Sequence, residues 1–96
     1  MESVREEMLR ELDRITIRLT SLNPERLATM DESVYQCAKA IWRATQGHDV
    51  DHELPRVGPT AYAAQLTVLT RDLLVSNPNG EHDAAAALTE LRQLLP

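Results

Sequence analysis

Phenylalanine is absent from this 96-residue sequence, tryptophan occurs once and tyrosine twice, so any core must be assembled from aliphatic side chains. Cysteine occurs once, at Cys37, which excludes an intramolecular disulfide and is compatible with a reducing cytoplasm. Long hydrophobic runs are missing too. The longest, Ala84 to Leu88, is too short to cross a bilayer or to form the apolar region of a signal peptide, and a cytoplasmic protein is expected. Positive charge is scarce: 10 Lys and Arg stand against 15 Asp and Glu, a net charge of -5. Nucleic acid and anionic membranes are therefore not expected partners, since both recruit a basic face.

What is present is 43% hydrophobic residues, mostly Leu, Ala, Val, Ile and Met, arranged at helical spacing in four stretches. The length allows one domain with one core, and so small a domain gains from self-association. Segment one, from about Glu2 to Leu22, sets Val4, Met8, Leu12, Ile15, Leu19 and Leu22 on one stripe. Its other side carries Arg10, Arg14 and Arg18 interleaved with Glu6, Glu7, Glu11 and Asp13, a salt-bridged face turned to solvent. Asn23-Pro24 then stops this helix and starts another.

Segment two, Pro24 to Gln46, carries Leu27, Met30, Val34, Cys37 and Ile41 in one phase. Thr29-Met30-Asp31-Glu32 matches a capping box that would mark a second start. The maintained phase favours one continuous helix ended by Gly47. Gly47 to Gly58 reads as the one long loop. Segment three, from Pro59 to about Ser76, has Tyr62, Leu66, Leu69 and Leu73 as its stripe. Asn77-Pro78-Asn79-Gly80 is a tight turn, and segment four, Glu81 to Leu95, buries Ala84, Ala87, Leu88, Leu91, Leu94 and Leu95. No segment reads as a strand. Short connections after segments one and three predict an all-α fold, a small antiparallel four-helix bundle with up-down-up-down order in a single domain, residues 1–96. Its core is expected at Leu12, Ile15, Leu19, Met30, Val34, Cys37, Ile41, Leu66, Leu69, Leu73, Leu88 and Leu91.

Few constellations carry chemistry. His48, Asp49, Asp51, His52 and Glu53 bring metal-ligand side chains together in the long loop, and they are the candidate metal ligands. The competing reading is an acidic, solvated loop, the most mobile internal segment. His82, the third histidine, would lie at the opposite end of the expected bundle. The Glu-x-x-Glu and Glu-x-x-Asp pairs of helical pyrophosphohydrolases are lacking, as are a nucleophile elbow and any cofactor motif.

Leu12-Asp13-Arg14-Ile15, with the chain's length and helical content, resembles the first helix of the small all-helical chorismate mutases. The resemblance implies a helical enzyme acting on a dianionic substrate. That family's pattern is Leu-Arg, two residues, then Ile-Asp, and its arginine would fall on Leu9 or Glu6 here, so the substrate-gripping cation is missing. Lys39 and Arg43 fall on the outer side of segment two in this phasing and do not replace it.

The remaining signal is surplus apolar surface. Tyr35, Ala38 and Trp42 form a second seam on segment two, while Ala61, Ala64, Val68 and Val75 line the back of segment three, and Ile17 is an outlier on segment one. Helices touching two neighbours would account for this, as would contact with a second chain. The excess over what a small monomer covers favours a protein-contact function, with self-association as a twofold dimer through Tyr35, Ala38 and Trp42 or through Val68 and Val75. A metal-binding or chorismate-mutase-like helical enzyme is the alternative.

Overall fold

The computed structural model describes residues 3–46 and 54–95, and among these the chain is helical with no strand. It has five α-helices: α1 (Val4–Ser21), α2 (Pro24–Thr29), α3 (Asp31–Gln46), α4 (Tyr62–Ser76) and α5 (Glu81–Leu94). Single 3-10 turns at Pro59–Ala61 and Pro78–Gly80 lead into the last two. Among the described residues no helix is long and apolar enough to cross a membrane.

Local chemistry sets the ends. The Ser3 hydroxyl accepts the Glu6 amide and opens α1, while the Asn23 side chain accepts the Arg26 amide and opens α2, with Pro24 needing no donor in the first turn. The expected continuity of segment two is corrected here. Met30, at φ -95° and ψ 1°, leaves helical geometry and separates α2 from α3. Its amide turns back to the Leu27 carbonyl, and its own carbonyl accepts the Val34 amide. A restart therefore occurs where Thr29-Met30-Asp31-Glu32 suggested one, but not as a capping box, since the Thr29 hydroxyl donates to the Arg26 carbonyl and the Glu32 carboxylate accepts from Gln36 and Arg56. Phase survives the break, because Leu27, Met30 and Val34 are all buried.

Every residue expected at a stripe centre lies in one core, joined by Met8, Leu27, Leu54, Tyr62 and the small Ala38, Ala84 and Ala85. Two polar residues share it. Glu11, expected on the solvent face, is 6% exposed and paired with Arg92 of α5 and, at 3.7 Å, with Arg14. The sequence gives no sign that α5 would lie over that edge of α1. The Thr70 hydroxyl is buried and has no hydrogen-bond partner among the described residues.

The expected up-down-up-down order is also corrected. α1 packs on α4 and α5, and α3 packs on the same two helices. With overall dimensions of 38 × 35 × 17 Å, the chain forms two layers, α1 and α3 against α4 and α5, at ordinary interhelical spacing. Side-chain contacts set the directions. Tyr62 at the start of α4 donates to Asp31 at the start of α3, and Asn77 past the end of α4 donates at 2.6 Å to the Ala44 carbonyl near the end of α3. These helices therefore run in the same sense. The pairs Arg5–Glu81 and Glu11–Arg92 come in the same order along α1 and α5, so they too share a sense. Gln46 at the end of α3 and Pro59 before α4 therefore lie about one α3 length apart, roughly 24 Å at 1.5 Å per residue, and ahead of Pro59 Leu54 is buried in the core.

Gly80 packs closely against α3 and α4. A Cβ there would meet Leu73 Cδ1 at 2.9 Å, the Ala44 carbonyl oxygen at 3.2 Å and Ala44 Cβ at 3.3 Å. The leucine tip has room to yield, but the backbone carbonyl does not. Gly80→Ala is expected to lower stability by about 1 to 3 kcal/mol through overpacking, outweighing the smaller gain from a stiffer unfolded chain. Urea unfolding checks this, and an unchanged or raised midpoint would mean that the layers stand further apart.

Candidate functional site

Three features could make function: a polar cluster where α3 and α4 begin, a groove between α3 and α5, and the outer face of α4. The polar cluster is joined by several side-chain hydrogen bonds. Returning to α4, the chain lays Arg56 across the start of α3, where its guanidinium donates to Asp31 Oδ2 and Glu32 Oε2, both at 2.9 Å. The same group stacks 3.8 Å from the centroid of the Tyr35 ring, which suits a planar cation. Tyr35 donates at 2.9 Å to the Leu54 carbonyl, and Gln65 of α4 donates at 3.0 Å to that of Pro55. Tyr62 holds the other oxygen of Asp31.

Electrostatics follow these contacts. The Glu32 carboxyl is held below its ordinary range by hydrogen bonds from Gln36 and Arg56, and Arg56 is driven further toward its cationic form by Glu32. Burial, then the Asp31 carboxylate, pushes the Tyr62 phenol up to about 12. Cation, carboxylates and phenols satisfy one another, and the space between them holds no cavity. With its charge neutralised by two carboxylates and its plane on the Tyr35 ring, Arg56 is held in place, and the cluster works as a clamp that closes the return connection onto α3 and α4.

The α3–α5 groove, with a volume of about 250 Å³, is open and mostly apolar. Cys37, Ala40, Ala87 and Leu91 line it, with Glu32 and Glu90 beside them. Cys37 is buried there, and burial followed by the nearby Glu90 pushes its thiol up to about 12. It is a packing residue, since a nucleophilic cysteine needs its thiolate near neutral pH.

The expected interface residues separate. Ala38 is 0% exposed and enclosed by the chain's own helices. Tyr35 and Trp42 are half-buried against the core, Tyr35 with Arg56 over its ring. Val68 and Val75, at 57% and 85%, stand in the open on α4. The candidate metal ligands His48, Asp49, Asp51, His52 and Glu53 lie outside the described residues. Among the described residues no group of three or more His, Cys, Asp or Glu is placed to hold a metal ion. Comparison with protein-family models, curated proteins and solved structures gave no match.

Sequence reasoning missed the clamp. Its signals were Asp31 and Glu32 in the capping-box pattern and a lone Arg56 after Pro55, but nothing local says that residues 31, 56 and 62 meet.

The clamp and Cys37 predict alkaline sensitivity. Both Tyr62 and Cys37 have folded-state values raised to about 12 from 10 and 9, so the fold favours their protonated forms. That contribution is complete below pH 9 and is lost as pH rises toward 12. The urea midpoint should fall across this window, and a late phenol transition near pH 12, followed by absorbance, should vanish in Tyr62→Phe. Complete phenol ionisation by pH 11 in the unsubstituted protein would contradict the clamp.

Proposed function

We propose that this chain is a small helical interaction domain that self-associates through the outer face of α4. The carrying observation is the exposure of Val68 and Val75, two turns apart on a helix whose opposite side is already in the core. The polar residues between them are self-complementary. A second copy laid antiparallel about a twofold axis midway between Arg71 and Asp72 sets Val68 against Val75 of the second copy, and Arg71 against its Asp72. Such an isologous contact buries the apolar pair and crosses opposite charges at its centre.

The remaining chemistry fits this reading better than catalysis. A chorismate-mutase-like enzyme needs convergent cations for a dianion, whereas Arg56 is spent on Asp31 and Glu32, and Lys39 and Arg43 lie outside that cluster. A reducing, cytoplasmic setting is part of the proposal, supported by the buried, protonated thiol of Cys37. The net charge of -5 favours protein partners over nucleic acid or anionic lipid.

Light scattering with circular dichroism tests the proposal. The protein is expected at twice its 10.8 kDa chain mass, and Val68→Glu with Val75→Glu should give a monomer of unchanged helicity, since both sites are exposed. A monomeric unsubstituted protein at high concentration, or a doubly substituted dimer, would overturn it.

A further inference from the structure

We propose that the groove between α3 and α5 is the docking site for a basic amphipathic helix of a partner protein. Antiparallel packing of these two helices leaves a trough whose floor is made of small residues, Cys37, Ala40 and Ala87, with Leu91 beside them. Leu94 stands on one wall and is 55% exposed although it faces this apolar space. At about 250 Å³ the trough is below the usual range for a small-molecule pocket but admits two or three aliphatic side chains. It is open along its length. Ala40 also lines a second, more polar depression with Arg43, Ala44, Asn77, Asn79 and Asp83. On α3 the apolar floor runs from Glu32 to Ala40, about 12 Å or roughly two helical turns, and apolar anchors at i, i+3 or i+4 and i+7 match such a trough.

Charge selects the occupant. Glu32, Asp83 and Glu90 stand along the groove with Arg43 as their only cationic counterpart among the lining residues. Glu32 is engaged by Arg56 and Gln36, so Asp83 and Glu90 carry the rest of the rim's negative charge. A second copy presented groove to groove would oppose carboxylates to carboxylates, and an anionic lipid or nucleic acid would meet the same repulsion. A helix with Lys or Arg flanking its apolar face is complemented on both counts, and the chain's net charge of -5 speeds its encounter. This surface is separate from the outer face of α4, so the two proposals fail independently.

The probe is a fluorescein-labelled 14-residue peptide with Leu at helical 3-4 spacing and Lys elsewhere, compared by anisotropy with the same peptide carrying Glu for Lys. The Lys peptide is expected to bind at least about tenfold more tightly. Its addition should shift the methyl resonances of Ala40, Ala87, Leu91 and Leu94 while leaving those of Val68 and Val75 in place. Glu90→Lys at the rim and Ala87→Leu in the floor should each weaken binding about tenfold or more, and Asp13→Lys on α1 should leave it unchanged. Where Ala87→Leu perturbs folding, the exposed Glu90→Lys decides alone. Equal affinity for the two peptides, methyl shifts outside the groove, or equal losses from Glu90→Lys and Asp13→Lys would overturn the proposal.

Discussion

The same-sense pairing of α3 and α4 is the constraint on which the rest of this structure depends. Consecutive helices joined by a short turn reverse direction, but two that run together oblige the chain to travel back before the second begins. The return has consequences beyond connectivity. It brings Leu54 into the core and places Arg56 over the first turn of α3. It also fixes the neighbours of α5, which begins at Gly80 beside the end of α3, runs back along α3 and lies along α1 with Arg92 on Glu11.

Two kinds of interaction hold this arrangement. The apolar core supplies most of the stabilisation, as it does in any small domain, but aliphatic packing alone does not choose between helix orders of similar burial. Selection comes from polar contacts with fixed partners at the ends of the pair: Asp31 with Tyr62 and Arg56 at one end, Asn77 with the Ala44 carbonyl at the other. Arg56 and its carboxylates are individually exposed, and as isolated surface pairs they would contribute little. Joined to the buried Tyr62 hydroxyl, which is 2% exposed as a residue, they define which end of α4 meets which end of α3. The outer face of α4 and the α3–α5 groove are what this order leaves uncovered.

Periodicity in the sequence was sufficient for the helical segments and for the centres of the buried stripes, because 3.6-residue spacing is a local property. Leu12, Val34, Leu69 and Leu88 were all legible in this way, but Leu94, expected to be buried, is 55% exposed near the end of α5. What pairs with what was not. Glu11 reads as one more charge on a charged face until α5 covers it, and Tyr35 reads as surplus apolar surface until the returning chain lays Arg56 on its ring. The break at Met30 was visible in its capping pattern but was outweighed by continuous phase, a criterion that cannot distinguish one helix from two that are nearly collinear. Helix order was missed because turn length speaks only for short connections. The segment from Gly47 to Gly58 is long enough to permit either direction, and its composition of His, Asp and Glu drew attention to metal chemistry instead of to the distance it had to cover.

Both proposed surfaces, the α4 face with Val68 and Val75 and the trough beside Leu94, rest on this order. The most direct measurement is therefore of helix direction, by nuclear Overhauser contacts in the protein in solution. The account predicts that the Tyr62 ring sees Val34 and Tyr35 while the Asn77 side-chain amide sees Ala44, placing like ends of α3 and α4 together. Contacts of Tyr62 with Ala44 and of Asn77 with Val34 would mean that the helices run in opposite senses, and would contradict the fold together with both surfaces derived from it.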